Sequence, residues 1–332
     1  MKKILLLLFF LSYLSIYQAQ DVHWSQINEN ELYQNPANTG DFHGDFRASV
    51  STKDQWRNVT KPYQTQAVTF DIINKYDRKL GYGGLFLHDV TGDGIFRTIE
   101  MKLTPAYTLY QNTIKKQKIR IGIDLDYKYN QMNFSNYTFD NQFNGLIYSS
   151  ILPSNENFTT QQKSLFSIGT GITFTKEVSV KFHLKTGLAV FNINQADQGF
   201  YNIKTPRLRR SHFFVQSTYI ISPKITLIPS FNLQLQGTYS EIILGSKCQF
   251  KSINFLPSYL LIGGIYFRNK DAIFTQIGLK INKITTTINY DINVSKLAKA
   301  SNGRGGLEIN CQYIWTRKEA KNLMHKKCLD YL

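Results

Sequence analysis

Beyond its first nineteen residues the sequence has no stretch of about 18 consecutive apolar residues, which excludes a membrane-crossing helix from the rest of the chain. Proline is scarce, 8 in 332 residues, and it falls outside most of the segments that would have to build a sheet. The three cysteines, Cys248, Cys311 and Cys328, form no CxxC and no obvious pair, so neither a disulfide framework nor a zinc site is indicated. Cys248 and Cys311 read as small apolar residues on strands, while Cys328 sits in a basic tail where it could meet a partner. Acidic residues are outnumbered, 23 against 39 Lys and Arg, a formal charge of +16. No GxSxG, Walker A, GxGxxG in a βαβ setting or HExxH occurs. His88-Asp89 and Ser211-His212 are adjacent on extended segments, which sends the paired side chains to opposite faces. No catalytic, cofactor or metal site is therefore assigned.

What is present begins with an address. Lys2 and Lys3 precede an apolar stretch from Ile4 to Ile16, the pattern of a secretory signal peptide at 1–19, with a cut expected after Ala19. Loss of the two lysines lowers the formal charge from +16 to +14. On an exported chain this excess suits an anionic lipid or lipopolysaccharide surface better than nucleic acid, for which no zinc-finger, RNP-like or homeodomain-like pattern exists.

The remaining sequence alternates. Ile119, Ile121, Ile123, Leu125, Tyr127 and Tyr129 are interleaved with Arg120, Gly122, Asp124, Asp126 and Lys128. Ile284, Thr286, Ile288, Tyr290, Ile292 and Val294 are interleaved with Lys283, Thr285, Thr287, Asn289, Asp291 and Asn293. A period of two is the signature of a strand with one apolar and one wet face. The pattern predicts an all-β fold, an antiparallel transmembrane β-barrel of about fourteen strands over 43–316. The strands are expected near 43–52, 64–73, 80–89, 98–110, 118–129, 164–175, 180–192, 211–222, 224–235, 238–250, 253–267, 271–281, 283–294 and 304–316. Every second connection is short, and the long ones (130–163, 193–210, 295–303) fall on the other side, as short periplasmic turns and longer outer loops would. A short segment at 20–42 precedes the barrel and could plug or line the lumen, and a basic tail, 317–332, follows on the periplasmic side.

Specific residues attract attention. Arg207, Arg209, Arg210 and His212 form a basic cluster assigned to an outer loop, suited to phosphate or an acidic protein, although a solvated loop would look the same. Asp89, Thr91, Asp93, Gly94 and Glu100 match the spacing of a calcium loop, but without flanking helices an Asp-Gly hairpin turn is the better reading. Lys181, His183 and Lys185 on one strand, and Arg120, Asp124, Asp126 and Lys128 on another, are expected to point into the lumen and pair there. Trp56 and Trp315 suit the lipid interface.

Several short motifs resemble the PorP/SprF membrane proteins of the type IX secretion system of Bacteroidetes. They are Gln20-Asp21-Val22-His23-Trp24-Ser25-Gln26, then Leu32-Tyr33-Gln34-Asn35-Pro36-Ala37, then Gln55-Trp56-Arg57. Near the C-terminus they are Asp271-Ala272-Ile273, Ile288-Asn289-Tyr290-Asp291 and Gly306-Leu307-Glu308-Ile309, the last departing from a common Ser-His before Glu-Ile. The resemblance implies a non-enzymatic outer-membrane barrel of the secretion and gliding machinery. Its implied partners are a large secreted adhesin-like protein with a C-terminal sorting domain and periplasmic components of the system, with Trp56, Arg57, Arg207, Arg209 and Arg210 as candidate contacts. A passive or ligand-specific uptake channel is the alternative.

Overall fold

The structure, a computed structural model, describes residues 21–57, 61–92, 95–134, 137–156, 158, 160–201, 203–252, 259–295, 298–301 and 303–317. The leader with its cut after Ala19, and the tail beyond Arg317 with Cys328, lie outside the described residues.

The alternating segments pair into one antiparallel sheet of fifteen strands. These are β1 (Phe46–Gln55), β2 (Tyr63–Ile73), β3 (Leu80–Thr91), β4 (Phe96–Leu103), β5 (Ala106–Asn112), β6 (Gln117–Gln131), β7 (Gln162–Ser179) and β8 (Phe182–Phe191). They continue with β9 (Arg210–Ile220), β10 (Ile225–Gln236), β11 (Tyr239–Lys251), β12 (Tyr259–Arg268), β13 (Ala272–Ile281), β14 (Ile284–Asn293) and β15 (Arg304–Trp315). The sheet closes on itself because β1 pairs with both β2 and β15, Val50 standing opposite Val68 on one side and Cys311 on the other. Closure leaves no strand edge unpaired, which a sheet in hydrocarbon requires.

Fifteen strands make fourteen staves. The segment expected as one strand at 98–110 is split at Thr104–Pro105, since proline has no N–H to give to the ladder. Strand β4 covers residues 84–91 of β3 and 125–131 of β6, while β5 covers 80–81 of β3 and 117–122 of β6. The gap is bridged by Thr104 N–H to the Gly83 carbonyl (2.8 Å) and by Ile123 N–H to the Pro105 carbonyl (3.0 Å). The face alternation runs through the break, with Lys102, Thr104, Ala106 and Thr108 all turned inward and buried. Strand β1 starts three residues later than expected, although Asp45 already bonds both neighbours, its N–H donating to the Trp315 carbonyl (2.9 Å) and its carbonyl accepting from the Ile73 N–H (3.1 Å).

The two faces of the wall differ as the pattern demands. On β6, Ile121, Ile123 and Leu125 are exposed outward, and Arg120, Asp124, Asp126, Lys128 and Asn130 are buried inward. Among the described residues no helix is long and apolar enough to cross a membrane; the outward apolar band of the strands does that work.

Candidate functional site

The lumen is occupied by the chain's own N-terminal segment, from Asp21 to Asp45. It runs from the long-loop end of the barrel down to the start of β1 as single helical turns at Ile27–Glu29, Glu31–Gln34 and Pro36–Asn38 joined by extended backbone. The turns are too short to stand alone, and the wall supplies the missing stability. Trp24, Ile27 and Tyr33 pack with Leu85, Leu87, Ile243, Tyr266 and Phe274 into a small apolar core inside the barrel. Around that core the contacts are polar, and nearly every one ties this segment to a strand.

At the top, Asp21 accepts from Arg207 Nε (2.9 Å) and Asn192 Nδ2 (2.9 Å) and lies 3.4 Å from Lys128. Arg207 also pairs with Glu100 and Asp126, each at 2.7 Å, and Lys102 joins Asp124 (3.0 Å) and Asp126 (3.4 Å). With Arg210 3.9 Å from Asp21, four carboxylates and four cations thus share one buried space, where each charge is tolerable only because it is paired. In the middle, the Glu308 carboxylate accepts the backbone N–H groups of Ser25 (2.7 Å) and Gln26 (2.8 Å) and holds Lys53 at 3.0 Å. Ser25 Oγ donates to Asp291 (2.6 Å), which also receives Arg268 (2.7 Å).

Lower down, Asn35-Pro36-Ala37 lies against bare backbone. A Cβ on Gly122 would sit 2.3 Å from the Pro36 carbonyl carbon, and one on Gly171 would sit 2.2 Å from Asn35 Oδ1. Glycine at these inward positions of β6 and β7 lets the segment approach the wall closely. Asn35 Nδ2 donates to the carbonyls of Ile172 and Leu188, and Arg120 donates to those of Ala37 and Thr39. Arg47 pairs with Glu31 (2.6 Å) and Asp71 (2.8 Å), and Asp41 pairs with Lys118 and Lys185 at the exit.

The basic cluster assigned to an outer loop is corrected by this arrangement. Arg207, although on the 193–209 connection, folds inward onto Asp21 and is 2% exposed. Arg210 opens β9 and is buried with its guanidinium 4.0 Å from the Tyr33 ring centroid and 4.2 Å from that of Phe191. His212 is buried, with Nδ1 3.0 Å from the Gln34 carbonyl oxygen. Arg209 alone of the four faces solvent, donating to the Ile193 carbonyl. The physical reason lies in the lumen: Arg207 meets the carboxylates of Asp21, Glu100 and Asp126, Arg210 lies against the Tyr33 and Phe191 rings, and His212 lies against a backbone carbonyl.

Trp56 and Arg57 stand at the long-loop rim, where Arg57 pairs with the exposed side of Asp54. The calcium-like spacing resolves into a hairpin in which Asp89 accepts from Thr65 (2.6 Å) and Thr91 (2.8 Å). Glu100 is committed to Arg207 inside the barrel, and Asp93 and Gly94 lie outside the described residues. The inward charges do pair, Asp124 and Asp126 with Lys102 on the neighbouring β4 as expected, and Lys128 and Lys185 with Asp21 and Asp41 of the N-terminal segment; Lys181 remains at an exposed turn.

The outer mouth is asymmetric. Over β6 to β9 the connections at 132–161 and 192–209 form the long side, with Lys163 paired to Asp197 at 2.7 Å. That hydrogen bond holds Asp197 down to about 2. Over β10 to β1 the hairpins at 237–238 and 269–271 are short, the connection at 294–303 is longer, and a cleft of about 750 Å³ opens, floored by His23, Glu241 and Arg268 and walled by Trp56, Tyr239, Lys270 and Arg304.

A closed barrel with a polar lumen, an outward apolar band and a chain-derived filling defines an outer-membrane β-barrel protein. A family model for the type IX secretion system membrane protein PorP/SprF matches residues 16–313, and the chain belongs to that family. Several of the quoted motifs join segment to wall: Ser25-Gln26 meets Asp291 and Glu308, and Asn35-Pro36-Ala37 meets the glycine-lined patch. No curated protein matches the chain in sequence. Among solved structures, the Ralstonia pickettii toluene transporter TbuX is 9% identical, with a TM-score of 0.53 over 86% of this chain and 93% of that one. The CymD monoaromatic hydrocarbon channel is 9% identical, with a TM-score of 0.52 over 91% and 95%. A Pseudomonas aeruginosa FadL homologue is 8% identical, with a TM-score of 0.51 over 86% and 94%. At such identities these structures support the barrel fold alone. The family and the neighbours are secretion and transport membrane proteins.

Proposed function

We propose that this barrel works as an outer-membrane docking component of the type IX secretion and gliding machinery, supporting export or surface anchoring of a large adhesin-like protein with a C-terminal sorting domain. The observation that carries the reading is the filled lumen. Asp21 to Asp45 occupies the bore through ion pairs and backbone hydrogen bonds to many strands, so work is left to the two rims. The long-loop rim, with Trp56, Arg57 and Arg209 on it, meets the secreted partner, and the short turns and basic tail meet periplasmic components. The basic surface suits lipopolysaccharide around the barrel.

Gene deletion tests this directly. The expected outcome is loss of one surface adhesin from intact cells, and the tagged barrel should bring that adhesin down from mildly solubilised outer membranes. Normal surface display after deletion would overturn the reading.

Uptake of a small ligand is the second reading, because the neighbours of similar fold are hydrocarbon channels and transporters. Against it stands the chemistry of the bore, where Arg, Lys, Asp and Glu line the space a hydrocarbon would have to cross. Planar-bilayer recording separates the two: a docking component stays silent, and an open channel conducts.

A further inference from the structure

The cleft at the outer mouth has charge left over. Of the carboxylates on its lining, Glu241 is engaged by the Tyr239 hydroxyl (3.0 Å) and His23 (3.2 Å), and Asp271 by Arg268 (2.6 Å). Arg268 is itself spent on Asp271, Asp291 and Ser25. Lys270 and Arg304, by contrast, are exposed on the same lining and make no ion pair among the described residues. Two uncommitted cations therefore face a site whose carboxylates already have partners.

The aromatic wall is also unusual. Trp56 is held at φ 65°, in the left-handed region that a bulky side chain adopts only when its surroundings impose it. That turn leaves the indole on the cleft, half-buried, with Tyr239 also on the lining. The volume, about 750 Å³, falls in the range of pockets that enclose a ligand of several side chains' bulk.

We propose that this cleft binds a short peptide segment carrying carboxylates beside an aromatic or large apolar side chain, the acids set between Lys270 and Arg304 and the apolar group against Trp56 and Tyr239. Resting on the docking role proposed above, this assigns the cleft as the seat for an acidic segment of the secreted partner. A peptide is favoured over lipopolysaccharide because the cleft lies inside the rim, floored by the N-terminal segment, whereas lipid phosphates surround the outer wall.

Isothermal titration of the full chain in detergent tests it, with acetyl-Phe-Glu-Glu-amide and its neutral counterpart acetyl-Phe-Gln-Gln-amide as probes. The acidic peptide should bind saturably and the neutral one about tenfold or more weaker, the scale of losing charge-assisted contacts. Combined Lys270→Gln and Arg304→Gln should remove the difference, while Trp56→Gly, which suits the backbone angle, should weaken both peptides. Heat-modifiable migration of the folded barrel on gels should be unchanged in each variant. Equal binding of the two peptides, indifference to the double substitution, or competition by lipopolysaccharide but not by a second acidic peptide would overturn the assignment. In cells the two proposals separate. If deletion releases the adhesin but the double variant retains it, the cleft is wrong and the docking role stands; if deletion has no effect, the docking role fails whatever the titration shows.

Discussion

Ser25 and Glu308, 283 positions apart, meet in the lumen, where the Ser25 backbone N–H donates to Glu308 Oε1 at 2.7 Å. The same carboxylate takes the Gln26 N–H and neutralises Lys53. One strand residue thereby organises the middle of the N-terminal segment. Replacing it by alanine leaves two backbone donors without an acceptor in a buried space and the Lys53 ammonium without its counter-charge, held by the His23 carbonyl (2.8 Å). Removal of one partner from such a buried pair costs roughly 3–5 kcal/mol. Glu308→Ala should detach the segment while the barrel stays closed, seen as protease cleavage between Trp24 and Tyr33 and as new conductance in planar bilayers. A silent, protected variant would show that the segment does not depend on this contact.

Gly122 and Gly171 make a second prediction, of opposite chemistry. Alanine at either brings a methyl carbon to 2.3 Å or 2.2 Å from Asn35-Pro36, so the segment must move. Overpacking of this kind costs typically 1–3 kcal/mol. Gly263→Ala is the control, since nothing lies within 4 Å of its added carbon. Thermal unfolding in detergent should separate the first two from the third. If all three melt alike, the close approach is not what holds Asn35 in place.

How much of this was legible in the sequence depends on which link is asked for. The staves were, because each strand writes its two faces into alternate letters: Ile121, Ile123 and Leu125 against Arg120, Asp124 and Asp126. Pro105 broke one stave without changing its parity, so the fourteen-fold count survived while the strand count rose to fifteen. What alternation cannot carry is the partner of an inward charge. Arg207, Arg210 and His212 look like a solvent-facing basic run until the carboxylates, rings and carbonyl that meet them in the lumen are known, and Glu100 looks like a turn ligand. One available signal was the glycines at inward positions, Gly122 and Gly171, which mark a backbone approached by something. Another was the pairing of an N-terminal motif containing Ser25-Gln26 with a C-terminal one containing Asp291 and Glu308.

The two arginines of the 193–210 region give a contrast between neighbours. Arg207 is 2% exposed among Asp21, Glu100 and Asp126, and Arg207→Ala leaves three carboxylates short of a cation. A loss of about 3–5 kcal/mol is expected. Arg209 faces solvent, and Arg209→Ala should stay within about 0.5 kcal/mol of the parent. Urea unfolding in detergent measures both, and equal effects would contradict the inward placement of Arg207.

The long side of the mouth carries a pH dependence of known sign. The Lys163 hydrogen bond lowers Asp197 from the usual 3.8 to about 2, so the folded loop binds the proton less well than the unfolded one. Its contribution is then fully present above about pH 4 and is lost as pH falls through about 2. Lys163→Ala should move the Asp197 titration upward toward 3.8, observable by carboxyl-carbon NMR of the labelled chain. It should also make the loop at 192–209 cleavable by pepsin at a higher pH than in the parent. Among the described residues the connections at 132–161 and 192–209 meet through Tyr201 with Glu156 and Phe158 and through Phe134 with Phe200, and Lys163 of β7 ties Asp197 to the wall. A titration unmoved by Lys163→Ala would mean that the backbone donors Gly199 and Thr205 alone hold the carboxylate, and that the loop over β6 to β9 is shaped from within rather than by the strand beside it.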